Sequence, residues 1–422
     1  MDSQPNSEGS QFTAPQISLP KGGGAIRGIG EKFSANAVTG TGSLSVPIAV
    51  SPSRSTFGPQ LSLTYDSGSG NGVFGVGWNL GLPAISRKTD KGIPRYSDHE
   101  ESDVFIISGA EDLVPVLHQT QDREWAYSES ERDGYALRLY RPRIEGLFAR
   151  IERWTRMENG DIHWRSFSKD NVLTIYGGTP ESRISDADQP SHVFQWLISS
   201  SHDVRGNAIL YEYVAENDLG VDLSRPSERR RTRSANRYLK RIRYGNRKPL
   251  ERNRAELETG DWMFEIVFDF GEEAYEESAP SGGRESVVRT AHRSDALSWP
   301  ARKDPFSTYR SGFEVRTHRL CRRTLLFHHF PLELETPRYL VRSTGFEYRE
   351  KPIGSFLTSV IQSGYTLEAN DRYLKRSLPS LDLAYTLSPL EDKSPGPFEL
   401  TEADSRNLPE GIDGANYRWR CV

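Results

Sequence analysis

Three short patterns in the chain have residue types and spacing that could do chemistry. Gly70-Asn-Gly72-Val-Phe-Gly75 spells G-x-G-x-x-G directly after a strand-like stretch, the spacing that lets backbone approach a pyrophosphate. That use needs a helix starting at the glycines, so that its N-terminus meets the phosphates. Gly77, Gly81 and Pro83 forbid one. Glu333-Leu-Glu335 would set two carboxylates on one strand face, as some ADP-ribosylating sites do. No companion Arg strand or Ser-Thr-Ser strand can be picked out, so the pair reads as an exposed acidic edge. His328-His329 sits at a strand end, where neighbouring side chains point to opposite faces and cannot share a metal. The nine histidines form neither H-E-x-x-H nor a paired Cys/His zinc spacing, and no serine nucleophile elbow is present. No catalytic, cofactor-binding or metal-binding residue is assigned.

The elements around these patterns are strands. Leu61 to Ile85 reads LSLTYDSGSGNGVFGVGWNLGLPAI. Leu61, Leu63 and Tyr65 alternate with Ser62 and Thr64, which puts one face inward. Six glycines then fall between Gly68 and Gly81, giving backbone that can turn through positive φ, and Trp78, Leu80, Leu82 and Ile85 follow. Gly75, Gly77, Trp78 and Gly81 are expected to form a structural corner, a glycine-built bend closed by an aromatic plug. Leu44, Val46 and Ile48 alternate as a short strand that Pro47 assigns to an edge or a bulge. Strands are expected at 104–107, 135–140, 172–176, 193–198, 209–214, 313–317, 324–327, 339–348 and 381–385. Trp262, Phe264, Ile266, Phe268 and Phe270 alternate with Met263, Glu265, Val267 and Asp269, the signature of a central strand. A sustained 3.6-residue period is almost nowhere to be found. The predicted fold is all-β, a large multi-stranded antiparallel sheet.

Composition fits that architecture. Apolar residues are 35 % and mean hydropathy is −0.64, low for 422 residues, so many apolar side chains are expected on sheets whose other face meets water. Aromatics at 10 % compensate with large buried areas. The net charge of −4 argues against a general nucleic-acid binder. No run approaches the ~18 apolar residues of a membrane span. The first 16 residues are polar, predict disorder, and lack the basic start and apolar core of an ordinary secretory signal. Two cysteines, Cys321 and Cys421, are too few for a disulfide scaffold and suggest folding in a reducing compartment. Thirteen Lys or Arg between Arg225 and Arg254 precede nine acids between Glu256 and Glu277. The two stretches are expected to neutralise each other across a hairpin, as solvated faces and a charged loop.

Two further segments share a pattern. In His202-Asp-Val-Arg-Gly-Asn-Ala-Ile-Leu-Tyr-Glu-Tyr213, the turn residues Asp203, Gly206 and Asn207 precede Tyr211 and Tyr213 on one strand face. Tyr238-Leu-Lys-Arg-Ile-Arg-Tyr-Gly-Asn246 repeats a tyrosine-bearing strand, with Tyr244, that ends in Gly-Asn. The expected product is a hairpin with an aromatic ladder.

These segments resemble the Rhs/YD repeat. Ser18-Leu-Pro-Lys-Gly-Gly-Gly-Ala-Ile-Arg-Gly-Ile-Gly-Glu-Lys-Phe33, Gly75-Val-Gly-Trp-Asn-Leu-Gly81 and the stretch from Arg302 to Leu320 resemble the SpvB-type domain of the Salmonella virulence plasmid 65 kDa B family. That domain also opens the B component of insecticidal Tc toxin complexes. The resemblance implies a domain over 17–390 that is not itself the catalyst and forms part of an Rhs/Tc-type β-sheet shell. It implies a C component whose toxic C-terminal enzyme is the enclosed cargo, and a pore-forming A component as docking partner. It also implies export to the extracellular region from the cytoplasm without an ordinary signal. In Salmonella-type relatives a separate C-terminal ADP-ribosyltransferase domain carries the activity. Residues 391–422 read as a linker and the truncated start of a following propeller-like module, from Asn407 on. The competing expectations are a virulence protein related to those transferases but lacking the transferase domain, and an extracellular glycan- or protein-binding module using exposed tyrosines such as Tyr211 or Tyr244.

Overall fold

In the computed structural model, residues 30–35, 42–108, 111–144, 149–250, 254–272, 275–278, 286–290, 299–334, 336–368 and 372–386 are described. The chain divides into two units between Leu383 and Ala384, and every described strand lies in the first. Among the described residues nearly every element is a strand, and every strand pairing is antiparallel. The resemblance segment 18–33, Cys421 and the stretch 391–422 lie wholly or almost wholly outside the described residues.

Two curved surfaces share one long strand. Ala84–Arg87, Phe105–Ile107, Glu111–Pro115, Tyr135–Pro142, Arg150–Arg156, Ile162–Phe167, Leu173–Tyr176 and Val193–His202 pair in succession, and the last pairs back on the first. The ring is a closed barrel. With this number of strands the interior is only wide enough for side chains to fill. Phe105, Tyr140, Trp164 and Trp196 fill it, with ring centroids 4.9–6.1 Å apart. Arg87 projects among them, its side chain fully buried, with Asp98 at 2.7 Å and Asp103 at 2.8 Å. The aromatic faces of Phe105 and Trp196 take up the rest of its guanidinium surface.

From His202 the sheet continues outward through Ala208–Ala215, Arg237–Asn246, Trp262–Asp269, Arg323–His328, Tyr339–Lys351, Gly354–Glu368, Arg372–Ser377, Ser286–Thr290 and Tyr275–Ser278. Register shifts within Glu212/Tyr213, Leu326/Phe327 and Glu347/Tyr348 mark bulges. Such bulges add the local twist that bends a sheet.

The Trp262–Asp269 strand is central, paired on both sides. Its second face does not meet water, contrary to the composition argument. Val267 packs with Leu325, Phe327, Leu340, Tyr365 and Tyr373 in a separate apolar cluster, while Glu265 and Asp269 are also buried. Low overall hydrophobicity coexists with two covered faces because arginine–carboxylate pairs occupy part of the interior. The Gly42–Pro47 strand is likewise internal, between Lys32–Ala35 and Ser62–Asp66, not at an edge. Pro47 is tolerated because it is the strand's last residue, beyond the point where pairing with Lys32–Ala35 ends at Ser45.

Candidate functional site

The glycine corner is built as three short strands, Asn71–Gly72, Gly75–Val76 and Trp78–Leu80, after Ser62–Asp66. Asn71–Gly72 and Gly75–Val76 form a hairpin, so the G-x-G-x-x-G stretch continues as strand where a phosphate loop would start a helix. Gly75 and Gly77 adopt φ of +89° and +81°. A Cβ at Gly75 would lie 2.5 Å from the Ser355 carbonyl oxygen, and one at Gly77 would lie 2.4 Å from the Tyr65 ring. Glycine is required at both positions by conformation and by space. Gly81 has no such crowding, its nearest contact being the Ser62 carbonyl at 3.9 Å. Trp78 is 1 % exposed, and its ring sits 5.3 Å from Tyr65.

The partner of this corner is the distant stretch starting at Arg302. Arg302 Nη1 donates to the Gly72 carbonyl at 2.8 Å and Nη2 to Asn71 Oδ1 at 2.8 Å. Its Nε and Nη2 also bind Asp304 at 2.9 and 2.8 Å. Asp304 further accepts from Asn71 Nδ2 at 2.7 Å and Ser355 Oγ at 2.5 Å. Burial opposes the Asp304 charge, but the bonds from Arg302, Ser355 and Asn71 outweigh it and hold the carboxyl below its ordinary range. Hydrogen bonds from this buried ion pair thereby join two segments more than 200 residues apart.

The Gly-Asn hairpins interlock. Asp203 Oδ1 accepts from the Arg205 and Asn207 backbone, and Oδ2 accepts from Asn207 Nδ2. Gly206 has φ +76°, with Pro249 where a Cβ would go. The buried Asn246 side chain spans both turns, accepting from Ala208 N at 2.9 Å and donating to the carbonyls of Gly206 at 2.8 Å and Lys248 at 2.7 Å. The tyrosines do not stack as a ladder, because each pairs with an aliphatic residue: Tyr211 with Ile242, Tyr213 with Leu239, Tyr244 with Ile209. Nor are they an exposed binding surface. Tyr211 and Tyr244 are 5 % and 0 % exposed, and Tyr213 Oη donates to the Ile198 carbonyl. Tyr244 Oη bonds both the N–H and the carbonyl of Ser51, each at 3.0 Å. A glycan platform on Tyr211 or Tyr244 is excluded by that burial.

The charged insertion is a correction to the sequence reading. Some of its bases do meet the following acids: Arg241 pairs Glu265, Lys240 pairs Glu272 and Arg247 pairs Asp261. Others are buried with partners elsewhere. Glu228, itself inside the basic run, binds Arg233, Arg316 and His318. Next to it Glu216 accepts from Arg319 Nε at 2.7 Å, His318 N at 2.8 Å and Tyr238 Oη at 2.5 Å. Burial works against both carboxylates, and these donors overcome it, so both titrate below their ordinary values. The network ties the insertion to the stretch 302–320. Alternation gave no hint of it, since its members come from four separated segments.

A cleft of about 750 Å³ is lined by Arg241, Arg243, Arg247, Glu265, His329 and Arg338. Burial would lift the Glu265 pKa, but the His329 hydrogen bond and the charges of Arg338 and Arg241 bring it down to about 2. A carboxylate so firmly ionised is a poor general acid or base near neutrality, and the cluster reads as a structural clamp. His328 and His329 take different partners, Ser51 Oγ and Glu265. Glu333 lies in a turn, not on a strand, and Glu335 is outside the described residues. Among the described residues no group of three His, Cys, Asp or Glu is arranged to hold a metal, and no helix is long and apolar enough to cross a membrane. Cys321 is buried and unpaired, its thiol pushed up by burial.

The geometry matches known proteins. Residues 36–330 fit the family model described as Salmonella virulence plasmid 65kDa B protein. The chain is 40 % identical over 345 residues to the mono(ADP-ribosyl)transferase SpvB of Salmonella choleraesuis, covering 80 % of this chain and 54 % of that protein. It therefore spans about half the length of the curated relatives it matches. Its fold superimposes on the N-terminal domain of effector protein SpvB from Salmonella typhimurium strain LT2, with TM-score 0.67 and 38 % identity over 76 % of this chain and 98 % of that one. It also superimposes on TcdB2-TccC3, with TM-score 0.72 and 33 % identity over 89 % of this chain and 18 % of that one.

Proposed function

The chain belongs to the SpvB family, and from that premise we propose that it is a non-catalytic structural module of a toxin complex, a wall of the β-sheet shell enclosing a toxic C-terminal effector. The observation that carries this reading is the fit of 89 % of the chain, barrel and curled sheet together, onto a small part of TcdB2-TccC3. The chemistry of the interior agrees with it. Arg302–Asp304, through its hydrogen bonds to Asn71 and Gly72, and the pairs Glu216–Arg319 and Glu265–Arg338 tie distant stretches of the chain together, as a wall requires.

In this reading residues 17–390 are the shell module and 391–422 lead into a following module. Gly75, Gly77, Trp78 and Gly81 form the corner where the first strands are laid on the sheet, and the Asp203–Tyr213 hairpin belongs to an Rhs/YD-type wall. The partners are a C component carrying the effector and a pore-forming A component, and the site of action is extracellular. Co-expression of the full-length protein with a complete C component, followed by affinity purification, tests the assignment. A stable complex is expected, and its failure to form overturns the shell role.

The names of the curated relatives favour a second reading, ADP-ribosylation by the whole protein. They align with this chain over about half their own length. Incubating the purified chain with labelled NAD and lysate separates the two, since modification above background would make the chain itself a transferase.

A further inference from the structure

The barrel and the open sheet part company along the strand Val193–His202, and the fork between them is not filled. On one side lies an apolar cavity of about 300 Å³, walled by Phe74, Leu80 and Leu82 from the glycine corner and by Leu239, Phe268 and Phe270 from the sheet. On the other lies a polar cleft of about 510 Å³ beside Asp161, Arg183 and Ser234. Arg237 borders both.

Arg237, which is partly buried, differs from the interior arginines. Arg87, Arg302 and Arg319 each have a carboxylate partner within 3 Å. The hydrogen bonds of the Arg237 side chain run from Nη1 to the carbonyls of Ser234, Ala235 and Asn236, and its Nε is buried with no partner. Arg237 makes no ion pair among the described residues. Burial disfavours its charge, and among the described residues Glu181 is the carboxylate that acts on it. An arginine that borders an apolar cavity and has no ion-pair partner among the described residues matches a small-ligand site in which one polar group fixes orientation.

We propose that the fork is a binding site for an amphiphilic carboxylate, whose head pairs with Arg237 and whose chain of about eight to ten carbons enters the cavity walled by Phe74, Leu239 and Phe268. The chain length follows from the cavity volume, at about 30 Å³ per water-sized group. Charge complementarity selects the carboxylate, because the anion supplies the partner that Arg237 lacks.

The test is titration of the full chain with decanoate, octanoate and decan-1-ol below micelle-forming concentrations. Tryptophan fluorescence, to which Trp196 at the cleft contributes, and the melting temperature are the readouts. Decanoate is expected to saturate and to bind about tenfold more tightly than octanoate, from two further buried methylenes. Arg237→Gln is expected to weaken decanoate about tenfold without altering decan-1-ol, and Arg237→Lys to keep most of the affinity. Leu239→Trp, which fills the cavity and keeps the guanidinium, is expected to remove binding of both. Non-saturating decanoate, equal affinity for decan-1-ol, or an Arg237→Gln variant that binds decanoate like the parent overturns the proposal. So does a peptide with an apolar C-terminal residue that binds far more tightly than decanoate, which would assign the fork to a polypeptide.

Discussion

Asp304→Ala should destabilise the protein more than any surface change of similar size. The carboxylate sits 3 % exposed and accepts four side-chain hydrogen bonds, two from Arg302, one from Asn71 and one from Ser355. Its removal leaves the Arg302 guanidinium, with a side chain 0 % exposed, without its anion. Breaking one side of a buried pair costs about 3–5 kcal/mol. For a chain of this size each kcal/mol lowers Tm by about 1 °C, so a drop of about 3–6 °C is expected. A thermal melt followed by circular dichroism reads it directly. The double variant Arg302→Met with Asp304→Ala removes the orphaned charge as well and should recover part of the loss. Asp304 is held below its ordinary pKa, so the stability it contributes is present above about pH 4, its unfolded value, and lost as pH falls through the folded one. The alanine variant should therefore show a flatter decline in acid. A Tm drop under about 2 °C, or a double variant weaker than the single by a further ~3 kcal/mol or more, would refute the clamp.

Trp78→Ala should cost about 3–5 kcal/mol through lost aromatic burial, and an unchanged melting temperature would remove the plug from the corner. Asn246→Ala leaves the Ala208 N–H and two carbonyls at the paired turns without their bonds, so about 1–3 kcal/mol should be lost in urea titration, more than for an exposed asparagine. Glu265, brought down to about 2, should stabilise the fold above its unfolded value of about 4.3, with the gain lost as pH falls from about 5 to about 2. Glu265→Gln should flatten the urea midpoint across that window, and an unchanged slope would contradict it.

What could be read from the sequence was local. The Trp262–Asp269 strand declares itself because five large apolar residues keep a strict alternation. Its covered second face does not, since Glu265 and Asp269 look like solvent-facing positions until Arg241, Arg338 and Arg323 arrive from other strands. Barrel closure rests on Tyr140 meeting Pro115 and Ile85 meeting Trp196, pairings that no local pattern encodes. The need for glycine at positions 75 and 77 has a local half, the positive φ, and a distant half, the approach of Ser355 at Gly75. The stretch from Arg302 to Leu320 stands out by resemblance. That its Arg302 and Asp304 grip Asn71, and its His318 and Arg319 grip Glu216, emerges only in three dimensions. The charged insertion misled for the same reason, because a run of arginines reads as solvated until its members find buried carboxylates.

The most direct test of the shell assignment is protease protection of the effector in a complex of the full-length protein with a C component. Limited trypsin digestion should leave the effector intact while the same effector, expressed alone, is degraded. Equal cleavage of the effector inside and outside the complex would contradict enclosure and with it the role of this chain as a wall.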